Sequence, residues 1–316
     1  MKKNTLKIIL RTVISIAILA FLFSRINFGI FKDILSQFNP LFYILAICVL
    51  LAHQLVWAFA WKITLQEKNV TIAMKDIYRA VLTSYFFGSF LPSSVGPDLV
   101  LAFNIGKSLP EKQHAPSSLM FIRLMSLTAT FLVSGIILIF IAHTFALRQI
   151  MLLTWGILLT IWVCYWLAIH PVSRKFIQRI ANQYHWLRFI YKILDSFSTF
   201  GQDKKVPVRV WFLALLMVFL KVSVDFTIAL SLGIYIPYIW FLGLIPTVTV
   251  ISLIPISIAG LGIREGAYVA VFANMGVPAT ASLAISLTIF SLNILLCLIG
   301  GLLYLIHGTH VKHNHS

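Results

Sequence analysis

A proline-glycine break interrupts one long apolar region at Ile254-Pro255-Ile256-Ser257-Ile258-Ala259-Gly260-Leu261-Gly262-Ile263-Arg264-Glu265, and a similar break stands at Leu91-Pro92-Ser93-Ser94-Val95-Gly96-Pro97-Asp98. Each has a proline, a serine two residues later, then glycine, then an acid. Proline and glycine free backbone groups from helical hydrogen bonds. In the hydrocarbon layer of a membrane, such groups persist only where they are buried in protein or face a water-filled cavity. We therefore expect the helices to break at Pro92, Pro97 and Pro255, and paired breaks of this kind are typical of a binding site.

The composition is that of an integral membrane protein. Of the 316 residues, 60% are hydrophobic and 11% are charged, and the mean hydropathy is +0.95. Soluble domains contain less apolar surface, and several runs reach the roughly 20 apolar residues that a spanning helix requires. The sequence therefore predicts an all-α polytopic membrane protein.

The net charge of +16 does not indicate nucleic-acid binding. The basic residues lie mostly between the apolar runs, and no folded basic module is visible. Attraction to anionic lipid headgroups is a secondary effect of these charges.

The cysteines, Cys48, Cys164 and Cys297, lie within apolar runs and lack metal-ligand spacing. We expect them to be small buried side chains, and we expect no metal site and no cofactor.

Apolar runs of sufficient length predict six full spans. Two further regions, 80–106 and 239–274, contain the breaks, and each is expected to form two short half-helices that meet at a turn. The predicted spans cover residues 6–24, 41–61, 119–142, 150–169, 209–233 and 282–306.

The distribution of lysine and arginine favours one orientation. The links 62–79 and 170–209 are rich in basic residues, whereas 234–238 and 275–281 contain none. Basic links stay on the cytoplasmic side of a membrane, which predicts that both termini lie in the cytoplasm. This holds if each broken region enters and leaves on one side, as a re-entrant hairpin does. Two full crossings per region would give the same distribution.

The order of these elements predicts an inverted repeat within a single membrane domain, 1–316. Each half, roughly 1–145 and 146–308, contains two spans, a hairpin and a further span, and the halves start on opposite sides. An arrangement without symmetry is the alternative.

The link 170–209 is predicted to form a basic amphipathic helix, either on the cytoplasmic membrane face or packed on other links. The His-rich tail, 307–316, is expected to be solvated.

Charged side chains at bilayer depth are costly and are therefore functional candidates. Lys221 and Asp225 are spaced i, i+4 and can pair on one helix face, either to fix packing or to contact a headgroup. Arg123 can reach the membrane surface or hold a phosphate with its planar guanidinium. Asp98 and Glu265 follow the breaks, where capping is the favoured role and a proton-linked role is the alternative.

The breaks can also bind an anion directly. Serine hydroxyls and glycine N–H groups at half-helix ends can form an anion-binding nest, to which Arg264 would add a positive charge. Close helix packing is the simpler role of such small residues. No catalytic residue is predicted, and His53 and His143 are interpreted as isolated histidines near span ends. The predicted substrate-binding residues are Ser93, Gly96, Asp98, Arg123, Lys221, Asp225, Ser257, Gly260, Gly262, Arg264 and Glu265.

Three stretches carry a resemblance to a known family. Residues 87–98 and 255–265 resemble its two proline-glycine-acid signatures, and residues 300–304 look like its closing span. The family is the lysylphosphatidylglycerol synthase transmembrane region, also called flippase-like, and the resemblance covers nearly the whole chain. It departs from the family pattern at Leu101, where arginine is frequent, and at Ile122, where aspartate often precedes the third-span arginine.

The resemblance implies a cytoplasmic-membrane protein that handles lipids. In multiple peptide resistance factors, a similar module accompanies an aminoacyltransferase domain and moves aminoacylated phosphatidylglycerol between leaflets. We expect a stand-alone module here, without lysyl transfer from tRNA, because the sequence ends at Ser316. The hypothesis is a lipid translocase for an anionic phospholipid or a polyprenyl-phosphate-linked lipid. The alternatives are a membrane-embedded transferase acting on a lipid-linked donor, and a non-catalytic scaffold with a lipid-modifying enzyme as its partner.

Overall fold

The computed structural model describes the central part of the chain, and this part is helical. The described residues are 28–89, 91, 96–107, 109, 111–170, 178, 185–198, 200, 205–253 and 262–307. They contain no strand, so the predicted all-α class is confirmed. The helices are α1 Phe28–Ser36, α2 Pro40–Gln66, α3 Met74–Gly88, α4 Gly96–Lys107, α5 His114–Ile141, α6 Phe145–Ile169, α7 His185–Ser198, α8 Lys205–Ser231, α9 Tyr238–Leu253, α10 Ile263–Phe272 and α11 Ala279–His307.

Five of these helices, α2, α5, α6, α8 and α11, are long and apolar enough to cross a membrane. The sixth predicted span, 6–24, lies outside the described residues. The five coincide with the predicted spans 41–61, 119–142, 150–169, 209–233 and 282–306.

Capping residues explain why the observed spans differ from the apolar runs at their ends. Asn39 accepts a hydrogen bond from the Leu41 N–H at 2.9 Å at the start of α2, and Thr144 accepts one from the Leu147 N–H at 3.3 Å at the start of α6. Such side chains satisfy the first N–H groups of a helix and fix where it begins. At the other end, α8 stops before Gly233, whose φ of +68° is a left-handed conformation that ends helices.

Each broken region consists of two helices that pack against each other, α3 with α4 and α9 with α10. At 1.5 Å per residue, these helices measure about 22, 18, 24 and 15 Å. All are shorter than the roughly 30 Å hydrocarbon core of a bilayer. The lengths suit half-helices, and their re-entry from a single membrane face stays a prediction.

The first break depends on close backbone contact. A Cβ at Gly96, the first residue of α4, would overlap the carbonyl oxygen of Gly88, the last residue of α3. Pro97 follows as the second residue of α4, where a missing N–H costs no helical hydrogen bond. It therefore begins the second half-helix. Pro92 and Pro255 lie outside the described residues.

Helix packing links the two halves of the chain. α2 packs along α8, α3 packs on α11, and α9 packs on α5. The contact between α3 and α11 is so close that a Cβ at Gly300 would overlap the Leu82 carbonyl oxygen. On the other side, the Ser134 hydroxyl of α5 donates a hydrogen bond to the Gly243 carbonyl of α9 at 2.6 Å. Each pair of half-helices is therefore fixed against the closing span of the other half.

An outward-facing apolar surface covers much of α6. Trp155, Trp162 and Trp166 on this helix are exposed, as expected for side chains that face lipid. Cys48 and Cys164 are also exposed, so the prediction that all three cysteines are buried is wrong. In a membrane protein an apolar run does not indicate burial in the protein, because lipid is as apolar as the core.

The last turn of α7 packs on the ends of the spans. The Ser196 carbonyl accepts a hydrogen bond from Lys68 Nζ at 2.6 Å, and its hydroxyl lies 3.1 Å from Nδ1 of His114. The Phe200 ring stacks on Phe121. Burial lowers the pKa of the Lys68 ammonium, and nearby acids oppose that shift. The described part of the link 170–209 therefore packs on the spanning helices α5 and α6, and its position relative to the membrane face stays a prediction.

The contact at Gly300 gives a testable consequence for stability. We expect Gly300→Ala to lower the free energy of unfolding by about 1–3 kcal/mol, because the new Cβ forces α11 away from the α3 backbone. The matched control is Gly156→Ala in α6, where a Cβ meets nothing within 4 Å. Thermal unfolding in mild detergent measures both. Equal midpoints for the two variants would contradict the close contact.

Candidate functional site

Among the described residues, the charged side chains predicted for the site form three ion pairs, and the first joins Asp98 to Arg123. Arg123 Nε donates to Asp98 Oδ2 at 2.6 Å, and Nη2 lies 2.5 Å from the same oxygen. Asp98 is the third residue of α4, and Arg123 lies on α5. The break before α4 therefore positions the acid against the neighbouring span. The Asp98 side chain is 18% exposed and that of Arg123 is 48% exposed.

The second pair lies within α8. Lys221 Nζ donates to Asp225 Oδ2 at 2.8 Å and to Oδ1 at 3.1 Å, as their i, i+4 spacing predicts. The Tyr268 hydroxyl of α10 donates a further hydrogen bond to Oδ1 at 3.0 Å. Asp225 is fully buried, whereas the Lys221 side chain is 41% exposed.

The third pair follows the second break. Glu265 Oε2 accepts the Gly262 N–H at 2.6 Å and so caps α10. Its Oε1 accepts from the Arg264 guanidinium and from the Ser286 hydroxyl on α11. The Arg264 guanidinium also lies over the Phe290 ring, 5.1 Å from its centroid. Gly262 has a φ of +84°, which a residue with a Cβ adopts only under strain.

The three pairs share one arrangement, in which the acid is more buried than the cation. Glu265 is fully buried and Arg264 is 13% exposed, which repeats the order seen at Asp98 and at Asp225. Each carboxylate holds its cation in place through charge-assisted hydrogen bonds. The cations of the first two pairs stay partly exposed, at 48% for the Arg123 side chain and 41% for that of Lys221.

Tyr268 and His53 each lie near members of these pairs, and with them they make up a polar region of the bundle. Tyr268 contacts Asp225 and lies within electrostatic range of Arg264 and Glu265. His53 on α2 lies within electrostatic range of both Lys221 and Arg123. The structure therefore brings together six of the predicted substrate-binding residues: Asp98, Arg123, Lys221, Asp225, Arg264 and Glu265.

The other predicted residues divide into two groups. Gly96 and Gly262 serve the backbone at the two breaks, one by close packing and the other by its left-handed conformation. Ser93, Ser257 and Gly260 lie outside the described residues, so the proposed anion nest stays a prediction. Within the described part of the chain, no cluster of histidine, cysteine and acidic side chains could hold a metal ion.

Sequence reasoning missed the residues that connect the pairs. Tyr268 lies four residues after Arg264, so helical spacing could have revealed it. Ser286 carried no such signal, because its partner is on another helix. His53 was interpreted as lying near a span end, which is wrong, since it lies midway along α2. The neighbouring Gln54 donates a hydrogen bond to the Tyr85 hydroxyl at 2.7 Å. Two adjacent polar residues, His53 and Gln54, within an apolar span were the sequence signal for this position.

Broken helices that carry paired charges into a bundle of apolar spans define a class of polytopic membrane proteins in which such breaks form binding sites. The family model described as lysylphosphatidylglycerol synthase TM region matches residues 8–301. The chain belongs to this family, as its two break motifs indicated. A search of curated proteins finds no match to the chain.

Proposed function

We propose that this protein is a lipid translocase of the cytoplasmic membrane, with both termini in the cytoplasm. Its substrate is an anionic phospholipid or a polyprenyl-phosphate-linked lipid. The headgroup crosses along the polar region while the acyl chains stay in the bilayer. The family membership supports a membrane module that handles lipids, and the arrangement of charges supports the choice of an anionic headgroup.

One observation carries this proposal: the two cations on spanning helices, Arg123 and Lys221, are the exposed members of their pairs. In each pair a carboxylate holds the cation in place, and the side chain of the cation stays nearly half exposed. A guanidinium and an ammonium presented in this way match phosphate oxygens.

The packing of the half-helices supports an inverted repeat as the framework for movement. α3 packs on α11 and α4 on α5, whereas α9 packs on α5 and α10 on α11. Each pair of half-helices therefore contacts both closing spans. Transporters with inverted repeats alternate access by rocking one unit against the other around a central site.

The burial of the carboxylates favours a translocase over a membrane-embedded transferase. A transferase needs an accessible acid as base or nucleophile. Glu265 is fully buried and holds a backbone N–H, a guanidinium and a hydroxyl, and Asp98 is held by Arg123. A scaffold that binds a lipid-modifying enzyme is the remaining alternative, and it requires no lipid movement.

Reconstitution in sealed vesicles tests the proposal. Fluorescent phosphatidylglycerol and fluorescent phosphatidylcholine are incorporated in parallel, and a membrane-impermeant quencher reports exchange between leaflets. We expect the protein to accelerate exchange of the anionic lipid above that of protein-free vesicles, and to act less on the zwitterionic lipid. Exchange equal to that of protein-free vesicles for both lipids would contradict translocation and leave the scaffold.

A further inference from the structure

We infer that His53 is a headgroup-binding residue at the midpoint of the path between Arg123 and Lys221. This inference rests on the proposed function and extends it to a residue outside the two breaks. The His53 Nδ1 atom is sealed from solvent and has no hydrogen-bond partner among the described residues. A buried polar atom without a partner costs free energy and requires an explanation.

The depth of His53 places it between the two exposed cations. Lys68, just past the end of α2, and His114, the first residue of α5, both contact Ser196, so these two helix ends lie at one level. At a rise of 1.5 Å per residue, His53 lies about 20 Å from the end of α2 at this level. Arg123 lies about 14 Å from the start of α5 at the same level.

Lys221 lies further along the same direction. The Phe200 ring, 4.1 Å from Lys68 Nζ, shares the level of the helix ends, and α8 begins a few residues later. Counted from its start, Lys221 lies about 24 Å along α8. α2 packs on both α5 and α8. The depth of His53 along the bundle therefore lies between that of the Arg123 guanidinium and that of the Lys221 ammonium.

The charges around His53 favour an anionic partner. Among the described residues, the charged groups that act on His53 are the cations Lys221 and Arg123, so a phosphate near the imidazole would be attracted by both. In this structure Nδ1 has no hydrogen-bond partner among the described residues, and a phosphate oxygen would accept a hydrogen bond from its N–H. The unpaired atom therefore destabilises the empty site and favours the site that holds a headgroup.

Binding of a short-chain lipid tests the role of His53 separately from translocation. Titration of the purified protein in neutral detergent with dioctanoyl phosphatidylglycerol, followed by calorimetry, gives the affinity without requiring exchange. We expect His53→Leu to weaken binding about tenfold, as the loss of one hydrogen bond to a charged group predicts. His53→Asn keeps a polar atom near the position of Nδ1 and should bind within about threefold of the natural protein. His143→Leu, outside the polar region and exposed, is the matched control and should bind normally.

The outcomes separate the two proposals. Normal binding by His53→Leu would overturn the role of His53 while leaving the proposed function intact. Absence of both binding and exchange in the unaltered protein would overturn the proposed function and this inference with it. If His53→Leu fails to fold, His53→Gln takes its place, because its amide lies at the position of Nε2. Tighter binding by His53→Asn than by His53→Gln supports a hydrogen bond from Nδ1, and equal binding contradicts it.

Discussion

Lys221→Met is expected to destabilise the protein by about 3–5 kcal/mol, the cost of breaking a buried ion pair from one side. The variant leaves the fully buried Asp225 carboxylate without its cation. Only the Tyr268 hydroxyl would still donate to it among the contacts described above. A carboxylate in this position must either stay charged without a counterion or take up a proton, and both are unfavourable.

The opposite change should cost less. Asp225→Asn removes the fully buried charge and leaves the Lys221 ammonium, whose side chain is 41% exposed. We expect a loss of about 1–2 kcal/mol, the range for a lost buried hydrogen bond. Because neither charge remains in Lys221→Met/Asp225→Asn, the double variant should be more stable than Lys221→Met.

Denaturation by sodium dodecyl sulfate, followed by tryptophan fluorescence, measures these differences. Lys75→Met in α3 is the matched control, because Lys75 is exposed, and it should change stability by less than about 0.5 kcal/mol. If Asp225→Asn lowers the free energy of unfolding more than Lys221→Met does, stability depends more on the carboxylate's support of Lys221 than the reverse. That result would contradict the proposal that Lys221 is available to a ligand.

The elements predicted correctly from the sequence are those determined by local composition. An apolar run of about 20 residues predicts a span because no other structure satisfies its backbone in lipid. The interruptions after Gly88 and Leu253 were visible because proline and glycine act within a few residues of their own positions. The pair of Lys221 and Asp225 was predictable for the same reason, since both lie on one helix turn.

Contacts between distant segments had no local signal. Asp98 and Arg123 were both candidates, but their pairing depends on α4 packing on α5. The hydrogen bond from Tyr268 to Asp225 joins α10 to α8, and nothing in either segment specifies the other. Exposure was equally hidden, as Cys48 and Cys164 show, because lipid-facing and core-facing positions are both apolar. The contacts between helices and the exposure of each side chain decide which cations are accessible at the site. The accessible cations could therefore be identified only from the structure.

Arg123→Gln is expected to reduce exchange of the anionic lipid at least tenfold. Arg123 has the most exposed side chain of the three pairs, and its ion pair joins the half-helix α4 to the spanning helix α5. Charge-assisted hydrogen bonds contribute about 1.5–3 kcal/mol each, and each 1.4 kcal/mol corresponds to about tenfold. Arg123→Lys keeps the charge but loses the planar fork of donors, so its exchange should lie between those of Arg123→Gln and the natural protein.

Arg79→Gln is the matched control for this experiment. Arg79 also pairs with an aspartate, Asp76, at 3.6 Å, and its side chain is 41% exposed. It lies on α3 outside the polar region, so exchange should stay within about twofold of the natural rate, as an exposed pair contributes little. Asp98→Asn completes the set. It keeps the Arg123 charge but removes the carboxylate that orients the guanidinium. The reduction in lipid exchange should therefore be smaller than that caused by Arg123→Gln. If Arg123→Gln and Arg79→Gln exchange lipid equally fast while the natural protein is active, the headgroup does not cross at Arg123, and the polar region has a structural role only.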